Sequence, residues 1–341
     1  MNPSQFKAIT NRYGKLRIAI VGDFCLDRYL EIDAARAEIS IETNLPVRNV
    51  VNVRPQPGGA GTILNNLIAL GVGEVFAVGF CGDDGEGYEL RKALSAEPNV
   101  SLEHFVQTPA RRTFTYTKPL VMRRGKPPEE LNRLDLKNWT PTPKPVRERL
   151  VQAVRALASR VDAFIALEQV DFAQTGVVTS PVLEALHAAR RANPRLIVVA
   201  DSRRGLGDFP PLIFKMNAAE LAVLVDAKRR LSPAQIRTAA ASLAKKNRQP
   251  VFVSLAERGI LGALPTGEVE HAPALPVRGP IDIVGAGDAV TANLTTALAA
   301  GAGLREALEL ANAAASVVVH KLGTTGTASV REIREVLPLV R

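Results

Sequence analysis

Short apolar runs that end at glycine, aspartate or serine alternate along this chain with longer stretches of helical period. The runs Leu16 to Gly22, Val75 to Gly79, Ala163 to Leu167, Leu196 to Ala200 and Val251 to Ser254 lack the polar alternation of a half-solvated strand. They predict parallel strands covered on both faces. Between them, Ile63, Leu64, Leu67 and Leu70, the segment from Val146, and Pro181 to Arg191 predict helices. Val290, Leu294 and Leu298 recur every four residues among alanines, which predicts a helix buried along one side. Regular alternation of this kind predicts an α/β domain with a central, mostly parallel sheet flanked by helices.

Two pieces break the alternation. Glu38 to Val53 and Thr113 to Val121 are β-prone and adjoin no helix. They can pair into a small second sheet, with strands from about 36–55 and 110–124, or extend the edge of the main one. Arg124 to Pro145 holds five prolines among many charges and predicts an extended surface excursion.

The chain has 341 residues, 46% of them hydrophobic, and reads as one domain over 1–341. Cys25 and Cys81 lie far apart beside apolar runs, which suits buried thiols in a reducing compartment. No apolar run reaches membrane-spanning length and the N-terminus has no signal-peptide segment, so a soluble, cytoplasmic protein with no membrane partner is expected. The net charge of +9 is scattered in short pairs such as Arg111-Arg112 and Arg203-Arg204, with only 5% aromatic residues. That distribution argues against a nucleic-acid partner and suits attraction of phosphorylated small molecules.

Candidate chemistry concentrates at Asp282 to Asp288. Gly285, Ala286 and Gly287 carry little side-chain bulk and stand where the alanine-rich helix begins, so their N–H groups can converge on an anion. Asp288 at the edge of such a hole suits a base that takes a hydroxyl proton during phosphoryl transfer; a plain N-cap carboxylate fits the same position. The first strand ends at Gly22-Asp23 without the Gly-x-Gly-x-x-Gly turn of a dinucleotide fold. Asp27, just past it, sits where open parallel sheets place ligands, or in a solvated turn. Asn217 and Glu220 fall within one helical turn, the spacing of a capping box.

Gly-Ala-Gly-Asp at a helix start late in a chain of this length resembles the second signature of the ribokinase-like (PfkB) sugar kinases. Gly58-Gly59-Ala60-Gly61 resembles their first, with Thr62 where an Asn is usual, and Gly22-Asp23-Phe24-Cys25-Leu26-Asp27-Arg28-Tyr29 looks like the opening segment of the heptose-phosphate kinases. The resemblance extends over most of the chain and implies a three-layer α/β sandwich with a small β lid that often forms a homodimer contact. It implies a carbohydrate kinase acting with ATP and Mg²⁺ on a sugar or sugar phosphate, best a heptose phosphate. Another sugar or nucleoside kinase, or a weakly catalytic regulator, is the alternative. In it, Asp288 is the base, Gly285, Ala286 and Gly287 form the anion hole, and Asp27, Gly58, Gly59 and Thr62 face the sugar. Asn217 and Glu220 organise the magnesium largely through water; Ser254 and Gly259 run along the nucleotide phosphates; Asn312 borders the adenine. Arg133, in Asn132-Arg133-Leu134-Asp135, suits a substrate-phosphate ligand or a surface ion pair. Gln174 or Thr175 stands where heptose-phosphate kinases usually have a lysine, and Ile283 where Thr is usual beside a monovalent-cation site of mainly backbone oxygens. Lys321 to Thr324 completes the likeness. No second domain is expected, in particular no nucleotidyltransferase half.

Overall fold

The computed structural model describes residues 1–323 and 325–337, so Thr324 of the last matching segment lies outside the described residues. Ten strands form the main sheet. From one edge the order is Val269–Ala272, Ile260–Ala263, Val251–Ser254, Ile213–Asn217, Ile197–Ser202, Ala163–Glu168, Arg17–Gly22, Glu74–Gly82 and Val100–Ser101, and Phe105–Thr108 also pairs with Glu74–Gly82. All pairings are parallel except those of the two edge strands Ile260–Ala263 and Val269–Ala272, which are antiparallel.

The sheet separates two apolar layers because successive strand residues point to opposite faces. Ile18 and Ile20 join one core with Ile63, Leu67, Leu294 and Leu308 from helices Ala60–Ala69, Ala286–Ala299 and Leu304–Val318. Ala19 and Val21 join the other with Leu150, Val154, Val182, Leu186 and Ile236 from helices Lys144–Leu157, Ser180–Ala192 and Pro233–Asn247. Burial on both faces explains why the central strands read as unbroken apolar runs. The result is a three-layer α/β sandwich.

A second sheet of five strands stands apart. Glu129–Glu130, Thr115–Met122, Phe24–Asp33 and Val50–Gly59 lie in that order, and Leu134–Leu136 also pairs with Thr115–Met122. Its make-up differs from the sequence expectation in two ways. Phe24–Asp33 is its central strand, parallel to Thr115–Met122 and antiparallel to Val50–Gly59. This strand was hidden because it follows Arg17–Gly22 after a single residue and its first four positions are all buried. From the 36–55 stretch, only the part from Val50 joins this sheet; Glu38–Ile39 and Pro46–Val47 pair with each other instead. Arg124 to Pro145 is likewise not wholly irregular, since it supplies the two short antiparallel strands at 129–130 and 134–136.

Candidate active site

Asp288 lies in the first turn of helix Ala286–Ala299. The chain enters that helix through Gly285, whose backbone is left-handed at φ 81° and would strain any residue with a Cβ. Helix Ala60–Ala69 begins after Gly59, at φ 57°, where an added Cβ would lie 2.6 Å from the Asp23 carbonyl. These two helix starts face each other: an added Cβ on Gly285 would meet Thr62 Cγ2 at 3.6 Å. Both glycine-rich segments named from the sequence therefore open on one space.

Three charged side chains surround Asp288. Lys215, in the middle of the strand Ile213–Asn217, is buried with its Nζ 2.7 Å from Asp201 Oδ2. The Thr291 hydroxyl donates to the same oxygen at 2.7 Å. An added Cβ on Gly287 would stop 3.3 Å from Lys215 Nζ, so the ammonium sits directly against the Gly287 backbone. Burial pushes the Asp288 carboxyl up to about 7, with Asp201 and Asp27 adding to the rise and Lys215 opposing it. Burial would lower the lysine, but Asp201, Asp288 and Glu220 together hold it above its ordinary value.

On the second sheet, Asp27 is buried in a strand rather than a solvated turn, with Lys118 Nζ 3.1 Å from its Oδ1. Its Oδ2 lies where a Cβ on Gly58 would come within 2.7 Å, so glycine there leaves the carboxylate room. Arg133 spans the ends of Asp135 with bonds of 2.7 and 2.8 Å and lies 4.4 Å over the Tyr116 ring. Arg203 donates to the Tyr116 hydroxyl at 3.3 Å from the other segment, after Ser202. Tyr116 stands opposite Asp27 in the strand register.

A cavity of about 600 Å³ adjoins the helix start, and Asn217, Ser254, Gly259, Ala286, Gly287 and Asn312 all line it. Gly259, at φ 93°, could not bear a side chain, because its Cβ would fall 2.0 Å from the Ala272 carbonyl. Asn312 donates to the Pro273 carbonyl at 2.7 Å and Ser254 Oγ to the Met216 carbonyl at 3.4 Å. Asn217 and Glu220 form a full capping box, with Asn217 Oδ1 accepting from Ala219 and Glu220 N–H groups and Glu220 Oε2 accepting from Asn217 N–H at 2.7 Å. Burial also raises the Glu220 carboxyl. Among the described residues, no group of three or more His, Cys, Asp or Glu side chains could hold a metal. Among the described residues, no helix is long and apolar enough to cross a membrane.

The sequence reading missed Lys215, Thr291, Lys118, Tyr116 and the part played by Asp201. Lys215 carried a usable signal, since a single lysine within Leu212-Ile213-Phe214-Lys215-Met216 is a charge inside an otherwise buried strand. Asp23 was also passed over. It accepts backbone N–H bonds from Gln169, Val170 and Val177, and so pins the loop that follows the strand Ala163–Glu168.

The model of the pfkB family of carbohydrate kinases matches residues 17–331. Curated relatives include the bifunctional protein HldE of Bradyrhizobium sp., 30% identical over 98% of this chain, and that of Rhodopseudomonas palustris, 32% identical over 98%. The chain spans 66% of the length of each of these relatives. Among solved structures, phosphofructokinase-2 from Escherichia coli with substrates and products aligns with a TM-score of 0.71 at 19% identity, covering 94% of this chain and 98% of that one. Ribokinase from Arabidopsis thaliana, complexed with ribose and ATP, aligns with a TM-score of 0.68 at 18% identity, covering 95% and 99%. Both likenesses are of fold.

Proposed function

Since the chain belongs to the pfkB family of carbohydrate kinases, we propose that it passes the γ-phosphoryl group of ATP to a hydroxyl of a phosphorylated heptose, with Asp288 as the base. One observation carries this reading. A carboxylate with its pKa raised to about 7 stands at a glycine-lined helix start, with an ammonium beneath it and a large cavity beside it. A base poised near neutral pH is what proton removal from a sugar hydroxyl needs.

The sugar would lie between the second sheet and the two helix starts. Asp27 would accept hydroxyl bonds, while Gly58, Gly59 and Thr62 allow close approach. The second sheet then acts as a lid, and its exposed Val50, Val51 and Val53 suit a homodimer contact. ATP would fill the cavity, its adenine by Asn312 and its phosphates along Ser254 and Gly259 toward Gly285–Gly287. The hydroxyl oxygen forms the new P–O bond as the bond to the β-phosphate oxygen breaks. Asp288 takes the proton and ADP leaves. Lys215 and the anion-hole N–H groups offset charge on the transferring group, so catalysis is mostly alignment and electrostatics.

Glu220 retains unshared lone pairs after its two bonds to Asn217. The pair fits a magnesium ion held through water better than a direct chelate. That ion would neutralise the β- and γ-phosphate charge. Asp282 accepts from Val284 and Gly323 N–H groups, so it clamps its loop and a monovalent cation there would rest on backbone carbonyls.

The heptose phosphate rests on the likeness to heptose-phosphate kinases and on the HldE relatives. Arg133, over the Tyr116 ring, and Arg203, at its hydroxyl, would supply the charge that a substrate phosphate meets. A coupled ADP-release assay across a sugar panel tests the assignment. Heptose 7-phosphate should win by at least about tenfold in kcat/KM, ~1.4 kcal/mol of transition-state binding. If a neutral sugar is turned over better, the phosphorylated-heptose assignment fails.

A further inference from the structure

At the opposite end of the main sheet, a cavity of about 470 Å³ opens where helices Ser180–Ala192 and Pro233–Asn247 end. Pro211 and Gln249 on its wall precede the strands Ile213–Asn217 and Val251–Ser254. The far ends of those strands carry Asn217 and Ser254 into the nucleotide cavity, so the two spaces are separated by the length of the strands. Arg190, Arg191, Arg248 and His187 line the distal cavity, and among the described residues no carboxylate does.

Basic residues at helix C-termini offset the last carbonyls, which accounts for Arg190 and Arg191 standing in a last turn. It leaves three features unexplained. Arg190 Nε and His187 Nδ1 are buried and make no hydrogen bond. Arg190 Nη2 reaches only as far as Gln249 Oε1, at 3.4 Å. Arg248 holds a left-handed backbone, φ 53°, where glycine or asparagine is the usual helix terminator. Partial burial lowers the Arg190 guanidinium from its ordinary pKa, and among the described residues no carboxylate lines the cavity to offset its charge. Buried polar groups in native proteins are paired, and an anion would pair these.

We infer that this cavity is a second anion site, whose ligand is a small phosphorylated molecule bound away from the substrates. Guanidinium groups match phosphate oxygens in two-pronged bonds, and three of them around one cavity favour a dianion over a single carboxylate. The volume falls in the ~300–1,000 Å³ range of small-molecule sites.

The chain has four histidines, which makes His187 a local reporter. Its imidazole resonance can be identified by its loss in His187→Gln and followed by NMR at constant pH as inorganic phosphate is added. The signal should move saturably in the low millimolar range, and sodium chloride at matched ionic strength should not reproduce the movement. Arg190→Gln should weaken the midpoint by at least about tenfold, the worth of one charge-assisted hydrogen bond, with kinase turnover intact. If Arg190→Gln does not fold, the exposed Arg248→Gln serves, with the midpoint shifted in the same direction. An unmoved His187 signal, an equal response to chloride, or an unchanged midpoint in the folded arginine variant would overturn the inference.

Discussion

Replacing Lys215 with methionine removes one charge from the floor of the site and keeps most of the side-chain volume. In the native protein the ammonium lies 2.7 Å from Asp201 Oδ2 and beneath Gly287. Its loss leaves the buried Asp201 with the Thr291 hydroxyl as its side-chain donor. Removing one member of a buried ion pair costs about 3–5 kcal/mol, because the other charge is left uncompensated. Urea unfolding of Lys215→Met should show a loss of that size. Adding Asp201→Asn removes the stranded charge, keeps an acceptor for Thr291, and should restore most of the stability. Turnover should not return. A cation aimed at the transferring phosphoryl group resembles an oxyanion-hole donor, worth roughly 10²–10³ in kcat. The coupled ADP-release assay on both variants separates the two roles. A double variant that regained stability and turnover together would reduce Lys215 to a structural counter-ion and refute the reasoning.

Three further outcomes follow from the same geometry. With Asp288 held near pH 7, kcat/KM should fall about tenfold per unit below that pH, and a profile flat to pH 5 would contradict it. Because the folded-state value is raised above that of an unfolded carboxylate, the associated stability is full below about pH 4 and is lost as pH rises through about 7. Asp288→Asn should therefore resist urea better than wild type at pH 8, and the gap should close toward pH 4. Asp27→Ala should weaken sugar binding by about 1–3 kcal/mol with ATP affinity kept, and calorimetry showing equal loss for both ligands would point to misfolding instead. Arg133→Ala and Arg203→Ala should each cut the preference for the phosphorylated over the neutral sugar, which steady-state kinetics on the two substrates would show.

The sandwich was legible because its strands are covered on both sides and its helices on one, and each condition writes its own period. Gly285–Asp288 was legible as a helix start because two glycines around an alanine precede an alanine-rich run of helical period, and Asp288 does fall in that helix's first turn. Phe24–Asp33 was not, since its buried first residues merge with the preceding strand and leave no alternation to read. Lys215 and Asp201 meet because the strands Ile213–Asn217 and Ile197–Ser202 lie side by side, a pairing that local pattern does not encode. Asn217 and Glu220 show the opposite limit. Their spacing fitted a helix cap and a metal-organising pair alike, and the structure displays the cap in full.

Asp288→Asn keeps shape and polarity and removes proton acceptance, so it tests the central claim most directly. Turnover of ATP with heptose 7-phosphate should fall by roughly 10²–10⁴, the usual worth of a general base, while calorimetric nucleotide affinity stays near that of wild type. Near-normal turnover in the folded variant would show that Asp288 is not the base and that the proposed chemistry is wrong.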